Sequence, residues 1–130
     1  MSILKIFLFI LLAYIFICGL IYLLQERLIF FPEKLRSDYR FEFPGVFEEV
    51  NISMKDGVLL NGVLFQSDSS KGLIFYLHGN AGSLRGWGEI ATTYTNLNYD
   101  LFMPDYRGYG KSESRIQSEE QIFDDMQLTY

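Results

Sequence analysis

His78, Gly79, Asn80 and Ala81 follow one another at the end of an apolar run, in the stretch Ile74–Ser83, IFYLHGNAGS. A second polar cluster set among glycines, Asp105, Tyr106, Arg107, Gly108, Tyr109 and Gly110, leads into Lys111 and Ser112. A strand that stops abruptly in small residues admits three readings. It is an ordinary strand-to-helix turn, a loop that cradles a phosphate, or a loop that aims backbone N–H groups at a developing oxyanion.

The phosphate reading fails on spacing. A P-loop needs G-x-x-x-x-G-K-[ST]. Gly110, Lys111 and Ser112 supply the tail, but Asp105 stands where the leading glycine belongs, and its charge would repel a phosphate. Between Gly79 and Gly88 there is no lysine, and Gly79, Gly82, Gly86 and Gly88 do not give G-x-G-x-x-G. The oxyanion reading asks for less. Preorganised N–H groups stabilise the charge that develops on a carbonyl oxygen in acyl transfer, and losing one donor costs about 2.7–4 kcal/mol. Glycines after a buried strand let the backbone approach a substrate closely. Taken alone, His78 reads as a satisfied core histidine, the tyrosines of DYRGYG as packing residues, and Asp124 and Asp125 as a solvated helix face.

The elements that must position these loops are legible nearby. VFEEVNISM and VLLNGVLFQ flank Lys55-Asp56-Gly57, a hairpin signal. Val50, Ile52 and Met54 alternate with Asn51 and Ser53, which marks a half-buried strand. Ser67–Gly72 is a surface turn. Leu73–Leu77, LIFYL, is apolar on both faces, as in an interior strand of a parallel sheet, and is the third strand by count. Trp87, Ile90, Ala91, Tyr94 and Leu97 recur at helical steps. Leu101–Met103 is a short strand before the second glycine loop. Ser118 and Gln121 make a capping box, and Ile122, Phe123, Met126 and Tyr130 give the helix after it an apolar face. That helix has a start signal and no stop signal, which reads as an interruption.

The N-terminal quarter has another character. Ile6–Leu24 contains no charged residue. About 19 residues at about 1.5 Å each give roughly 28 Å, near the thickness of a bilayer core. The run is too long for a signal-peptide core and no small-x-small site follows it, so an uncleaved single-pass anchor is expected over residues 1–27. A membrane-proximal linker is expected over 28–45, with Tyr22, Phe30 and Phe31 at the interface. Arg27, Lys34, Arg36 and Arg40 follow the run and Lys5 alone precedes it, which favours a cytoplasmic globular part but leaves the side open. The single cysteine, Cys18, lies in the span and has no partner in the chain for a disulfide. The net charge of −5, with no basic cluster, argues against nucleic acid as a partner. The expected partners are a lipid bilayer and a small-molecule or acyl substrate.

LHGNAGS together with MPDYRGYGKSES resembles the α/β-hydrolase family, and more narrowly its membrane-anchored serine hydrolases; the likeness runs from LIFFPEKL to SEEQIFDDM. In that fold one oxyanion N–H comes from the loop after the third strand. The resemblance implies an oxyanion hole at Asn80 and Ala81. It implies a supporting loop of His78, Gly79, Gly82, Asp105, Arg107, Gly108 and Gly110, in which His78 is not the catalytic base. It implies an α/β sheet that opens with an antiparallel hairpin, continues with parallel strands, and occupies residues 46–130 as the N-terminal half of a hydrolase domain. No metal and no cofactor is called for.

The departure lies in the nucleophile. A hydrolase of this kind needs serine on a G-x-S-x-G elbow, then an acid, then a histidine. The nearest approach is Gly110-Lys111-Ser112-Glu113-Ser114, and the only histidine, His78, precedes the expected elbow. No triad can be assembled from these residues. The expectation is therefore an N-terminal portion of a serine hydrolase acting on an ester, thioester or amide, inactive by itself. The alternative is a non-catalytic membrane-anchored remnant or binding module, pairing through the sheet edge that LIFYL would expose.

Overall fold

The computed structural model describes residues 2–130. The chain divides into two units, one ending at Phe31 and the other running from Pro32 to Tyr130.

The first unit is helix α1, Ile3–Ile29. Its 27 residues span about 40 Å at about 1.5 Å per residue, more than a bilayer core requires. None of its residues is buried, and over an 18-residue stretch its mean hydropathy is 2.8. It is long and apolar enough to cross a membrane. Phe30 leaves the helical conformation, and its N–H closes the last turn on Glu26 O. Arg27 in that turn faces the negative end of the helix dipole.

Along the chain follow β1 (Phe31–Pro32), β2 (Val46–Ser53), β3 (Leu59–Gln66), β4 (Leu73–Phe75), β5 (Ala81–Gly82) and α2 (Leu84–Trp87). A 3-10 turn at Gly88–Ile90, α3 (Ala91–Thr95), β6 (Asp100–Pro104) and α4 (Glu119–Thr129) complete it. Four strands form one mixed sheet in the order β2-β3-β6-β4. The β2–β3 and β3–β6 pairs are antiparallel, and β4–β6 is parallel. The parallel pair needs a crossover, and α2 and α3 make it.

The β2–β3 hairpin closes where Asp-Gly demanded a turn. Ser53 faces Leu59, Met54 N–H donates to Val58 O at 2.8 Å, and Gly57 adopts φ 82°. A left-handed backbone costs glycine little. In β2 the half-buried residues fall on both faces, with Phe47 packed beside Phe65 on one and Ile52 beside Leu60 on the other.

Two apolar clusters sit in this unit. Val63, Phe65, Leu101 and Met103 pack with Leu84 and Ala91 in one; Leu60 and Met54 pack with Met126 of α4 in the other. Helices therefore cover both clusters. Leu35 and Phe41 are buried in the first cluster, and the rings of Tyr39, Phe41, Phe43 and Phe47 form a chain of contacts ending on Phe65. Residues 32–45, expected as linker, thus belong to the globular unit. Burying an aromatic ring contributes about 1.5–3 kcal/mol, enough to hold such a segment in place.

LIFYL has the composition of an interior strand, and as expected for these residues alone β4 lies at the sheet edge with β6 as its partner, with Leu73 and Leu77 exposed. Two further expectations change. The helix expected through Leu97 is broken into α2, the 3-10 turn and α3. Gly86 and Gly88 weaken helical continuity, α3 ends at Thr95, and Asn98 at φ 65° turns the chain before Leu97 can bury. In α4 the apolar face narrows to Ile122 and Met126, because Phe123 and Tyr130 are exposed.

Candidate active-site loop

The residues after β4 form a loop whose carbonyl oxygens are held one after another. Tyr106 Oη donates to His78 O at 3.0 Å, His78 Nδ1 to Gly79 O at 2.8 Å, and Tyr109 Oη to Asn80 O at 2.7 Å. Trp87 Nε1 donates to Ala81 O at 2.7 Å, and Glu33 N–H to Gly82 O at 2.8 Å. In a planar trans peptide the C=O and the N–H point in opposite directions. The bond on Gly79 O therefore sets the line of the Asn80 N–H, and the bond on Asn80 O sets the line of the Ala81 N–H. Both residues are exposed. Gly79 is needed for a steric reason: a Cβ there would stand 2.9 Å from the Trp87 ring.

His78 works entirely inside this scaffold. Its ring is fully buried, with Nε2 3.1 Å from Asp105 Oδ1. Gly79 O can only accept, so Nδ1 carries a hydrogen. Asp105 Oδ1 also accepts the Leu84 N–H at 3.0 Å, while its buried Oδ2 has no hydrogen-bond partner among the described residues. Burial pushes the Asp105 carboxyl above the ordinary aspartate range, and the His78 hydrogen bond opposes that push. Asp105 Oδ2 lies against Gly110, where any Cβ would overlap it, which restricts position 110 to glycine. With both ring nitrogens engaged and no exposed face, His78 is in no position to serve as a general base.

The second loop is built around Arg107. Its guanidinium is nearly buried and forks onto two carboxylates. Nε and Nη2 meet Asp125 at 2.6 and 2.8 Å, and Nη1 and Nη2 meet Asp56 at 2.6 and 3.1 Å. The hairpin turn, the DYRGYG loop and α4 are thereby joined. Hydrogen bonding to Arg107 holds the Asp56 carboxyl below its ordinary range, and the two carboxylates raise the guanidinium further above its own. Asp125, read from sequence as part of a solvated face beside Asp124, is a buried ion-pair partner. Tyr109 is buried and its hydroxyl is pushed up to about 12, chiefly by that burial, so it stays a donor at any ordinary pH.

Ser112, the nearest approach to an elbow serine, is structural. It is fully buried, donates to Asp105 O at 2.7 Å and accepts the Asn61 N–H at 2.8 Å. Lys111 meets Tyr39 O at 2.7 Å and Glu49 Oε1 at 2.5 Å, with its ammonium 4.9 Å from the Phe41 ring centroid. Its charge is committed within the fold, which disposes of the phosphate reading on geometry as well as spacing. A cavity of about 310 Å³ opens beside Arg107, between Asp56, Lys55, Ser118 and Asp124. No residue of the loop 78–82 lines it.

Sequence reasoning placed the two loops but missed the donors that fix them: Tyr106, Tyr109, Trp87 and Glu33. A usable signal was present. Buried tyrosine and tryptophan keep a polar tip that must find a partner, and a glycine loop offers a row of carbonyls.

No family model matches the chain. Protein bem46 of Schizosaccharomyces pombe is 33% identical over 103 residues, covering 72% of this chain and 34% of the relative. The uncharacterized protein YfhR of Escherichia coli is 34% identical over 89 residues, covering 65% and 31%. The chain thus spans about a third of the length of the curated relatives it matches. Among solved structures, an esterase of Pyrococcus furiosus superposes with a TM-score of 0.52 at 21% identity, over 77% of this chain and 39% of that one. A putative acyltransferase from Salmonella enterica superposes with a TM-score of 0.53 at 23% identity, over 67% and 30%. An alpha-beta hydrolase from Vibrio vulnificus gives 0.52 at 22%, over 63% and 28%. The fold is α/β-hydrolase-like.

Proposed function

We propose that this chain supplies the oxyanion side of a membrane-anchored serine hydrolase, which cleaves an ester, thioester or amide by acyl transfer. The observation that carries the reading is the hold on two successive peptides. His78 grips the Gly79 carbonyl and Tyr109 the Asn80 carbonyl, so the N–H groups of Asn80 and Ala81 are set before any substrate arrives. When a nucleophile attacks an acyl carbonyl, negative charge collects on the oxygen. Donors already in place stabilise that charge without reorganising.

The nucleophile, its base and its acid belong to polypeptide that these 130 residues do not contain, since no G-x-S-x-G and no second histidine occur in them. Helix α1 serves as the anchor. The acyl substrate and the bilayer are the partners of this reading.

Labelling with a fluorophosphonate probe tests it. The 130-residue chain is expected to take no label. A polypeptide continuing past Tyr130 into a G-x-S-x-G segment is expected to take label at that serine. Label on the 130-residue chain would overturn the account of its missing nucleophile. No label on a continuing polypeptide that carries the elbow would overturn the hydrolase reading and leave the non-catalytic alternative.

A further inference from the structure

The segment Glu33–Leu35 runs between the two loops and touches both. Glu33 N–H donates to Gly82 O at 2.8 Å, Gly110 N–H donates to Glu33 O at 2.8 Å, and Leu35 N–H donates to Gly110 O at 2.9 Å. Lys34 Nζ donates to Ser112 O. The Glu33 carboxylate adds two contacts at the end of the first loop. Its Oε2 accepts the Ser83 hydroxyl at 2.6 Å, and its Oε1 pairs with the Arg85 guanidinium. Ser83 is fully buried, and its Oγ also accepts the Arg85 N–H that starts α2.

These contacts are unequal. The Arg85 side chain is 55% exposed, and an ion pair that open contributes little. The hydroxyl-to-carboxylate bond is charge-assisted and made to a buried partner, which makes it the stronger hold. We propose that Glu33 is a positioning residue for the loop 78–83. Through Gly82 O and Ser83 Oγ it fixes the C-terminal end of that loop, at the point where α2 begins. The order of the loop then depends on the short segment that directly follows α1. The catalytic meaning of this hold rests on the oxyanion reading, but the order of the loop can be measured whatever the loop does.

Trp87 is the only tryptophan in the chain, and it donates to Ala81 O beneath the loop. Its fluorescence therefore reports the loop directly. The experiment uses the 130-residue chain in detergent micelles, with acrylamide quenching of Trp87 and hydrogen exchange of the backbone amides of residues 82–84. Glu33→Ala is expected to raise quenching about two- to threefold and to speed those amides about tenfold, with exchange in β3 and β6 unchanged. Glu33→Gln keeps an oxygen that can accept the Ser83 hydroxyl, and its exchange is expected within about threefold of the parent. Adding Ser83→Ala to Glu33→Ala also removes the cap on the Arg85 N–H, so exchange at the start of α2 is expected to rise further, by less than the two single effects combined.

Wild-type quenching and exchange in Glu33→Ala would overturn the proposal. So would equal acceleration in β3 and β6, which marks general loss of stability. Equal effects of Glu33→Ala and Glu33→Gln would also overturn it, since the charge would then matter and the accepted hydroxyl would not.

Discussion

Tyr109 shows how much depends on one hydroxyl. It donates to Asn80 O at 2.7 Å from a buried position, and through that peptide it sets the Ala81 N–H. In a complete hydrolase Tyr109→Phe keeps the ring and deletes the hold. The donor would be loosened rather than lost, so kcat is expected to fall about 5- to 20-fold with KM changed less than about twofold. Steady-state kinetics on a short acyl ester would check this; a rise in KM at constant kcat would assign Tyr109 to substrate binding. Asp105 makes a second prediction, in pH. Its folded carboxyl titrates above the ordinary value of 3.8, so the native state holds more protons than the unfolded one. Stability from this group is therefore full below 3.8 and lost as pH rises through the raised native value. Urea midpoints between about pH 3.5 and 7 should fall with pH less steeply in Asp105→Asn than in the parent. Parallel slopes would remove Asp105 as the cause.

At the scale of elements, the legible parts were those governed by neighbouring residues. Lys55-Asp56-Gly57 turned as Asp-Gly turns do, and Ser118 Oγ does accept the Gln121 N–H at 3.1 Å. Even there the box is half made, because the Gln121 amide oxygen accepts from Gln117 N–H rather than from Ser118. What could not be read were bonds between distant positions. Arg107 meets Asp56 across 51 positions and Asp125 across 18, and no periodicity announces either. The break between α2 and α3 depended on two glycines and a turn at Asn98 competing against a regular apolar spacing. Arg107 yields the prediction at this scale. Arg107→Met would leave Asp125 buried and unpaired, and the cost is expected at about 3–5 kcal/mol in urea unfolding. The double variant Arg107→Met with Asp125→Leu should recover part of that cost, because no charge is then stranded. A loss below about 1 kcal/mol in the single variant would show that water reaches the pair after all.

For the whole molecule, two features stand out. Helix α1 carries an uncharged stretch long and apolar enough to cross a membrane, and none of its residues is buried. The chain expressed in cells is expected to stay with the membrane fraction through an alkaline carbonate wash, and its release into the wash would contradict anchoring. The second feature is the sheet edge at β4, with Leu73 61% and Leu77 46% exposed. A bare apolar edge invites pairing with another strand, so the chain in micelles is expected to associate as its concentration rises, and Leu73→Lys to weaken that association. The strands were visible in sequence because each carries its own apolar pattern, and their α/β-hydrolase-like arrangement was implied only by the resemblance of LHGNAGS and MPDYRGYGKSES. The loops were visible because glycines cluster at two strand ends. The order of the carbonyls was not, since it depends on residues from Glu33 to Tyr109 meeting around one short turn.

The central claim is that Asn80 and Ala81 face an oxyanion. The most direct measurement takes a polypeptide that includes the elbow, phosphonylates its serine, and records the backbone amides of Asn80 and Ala81. The account expects both amide protons to move downfield on phosphonylation, with the phosphonyl oxygen about 2.7–3.1 Å from the two nitrogens in the crystal. Amide shifts unchanged by phosphonylation, with the oxygen held by other groups, would contradict it.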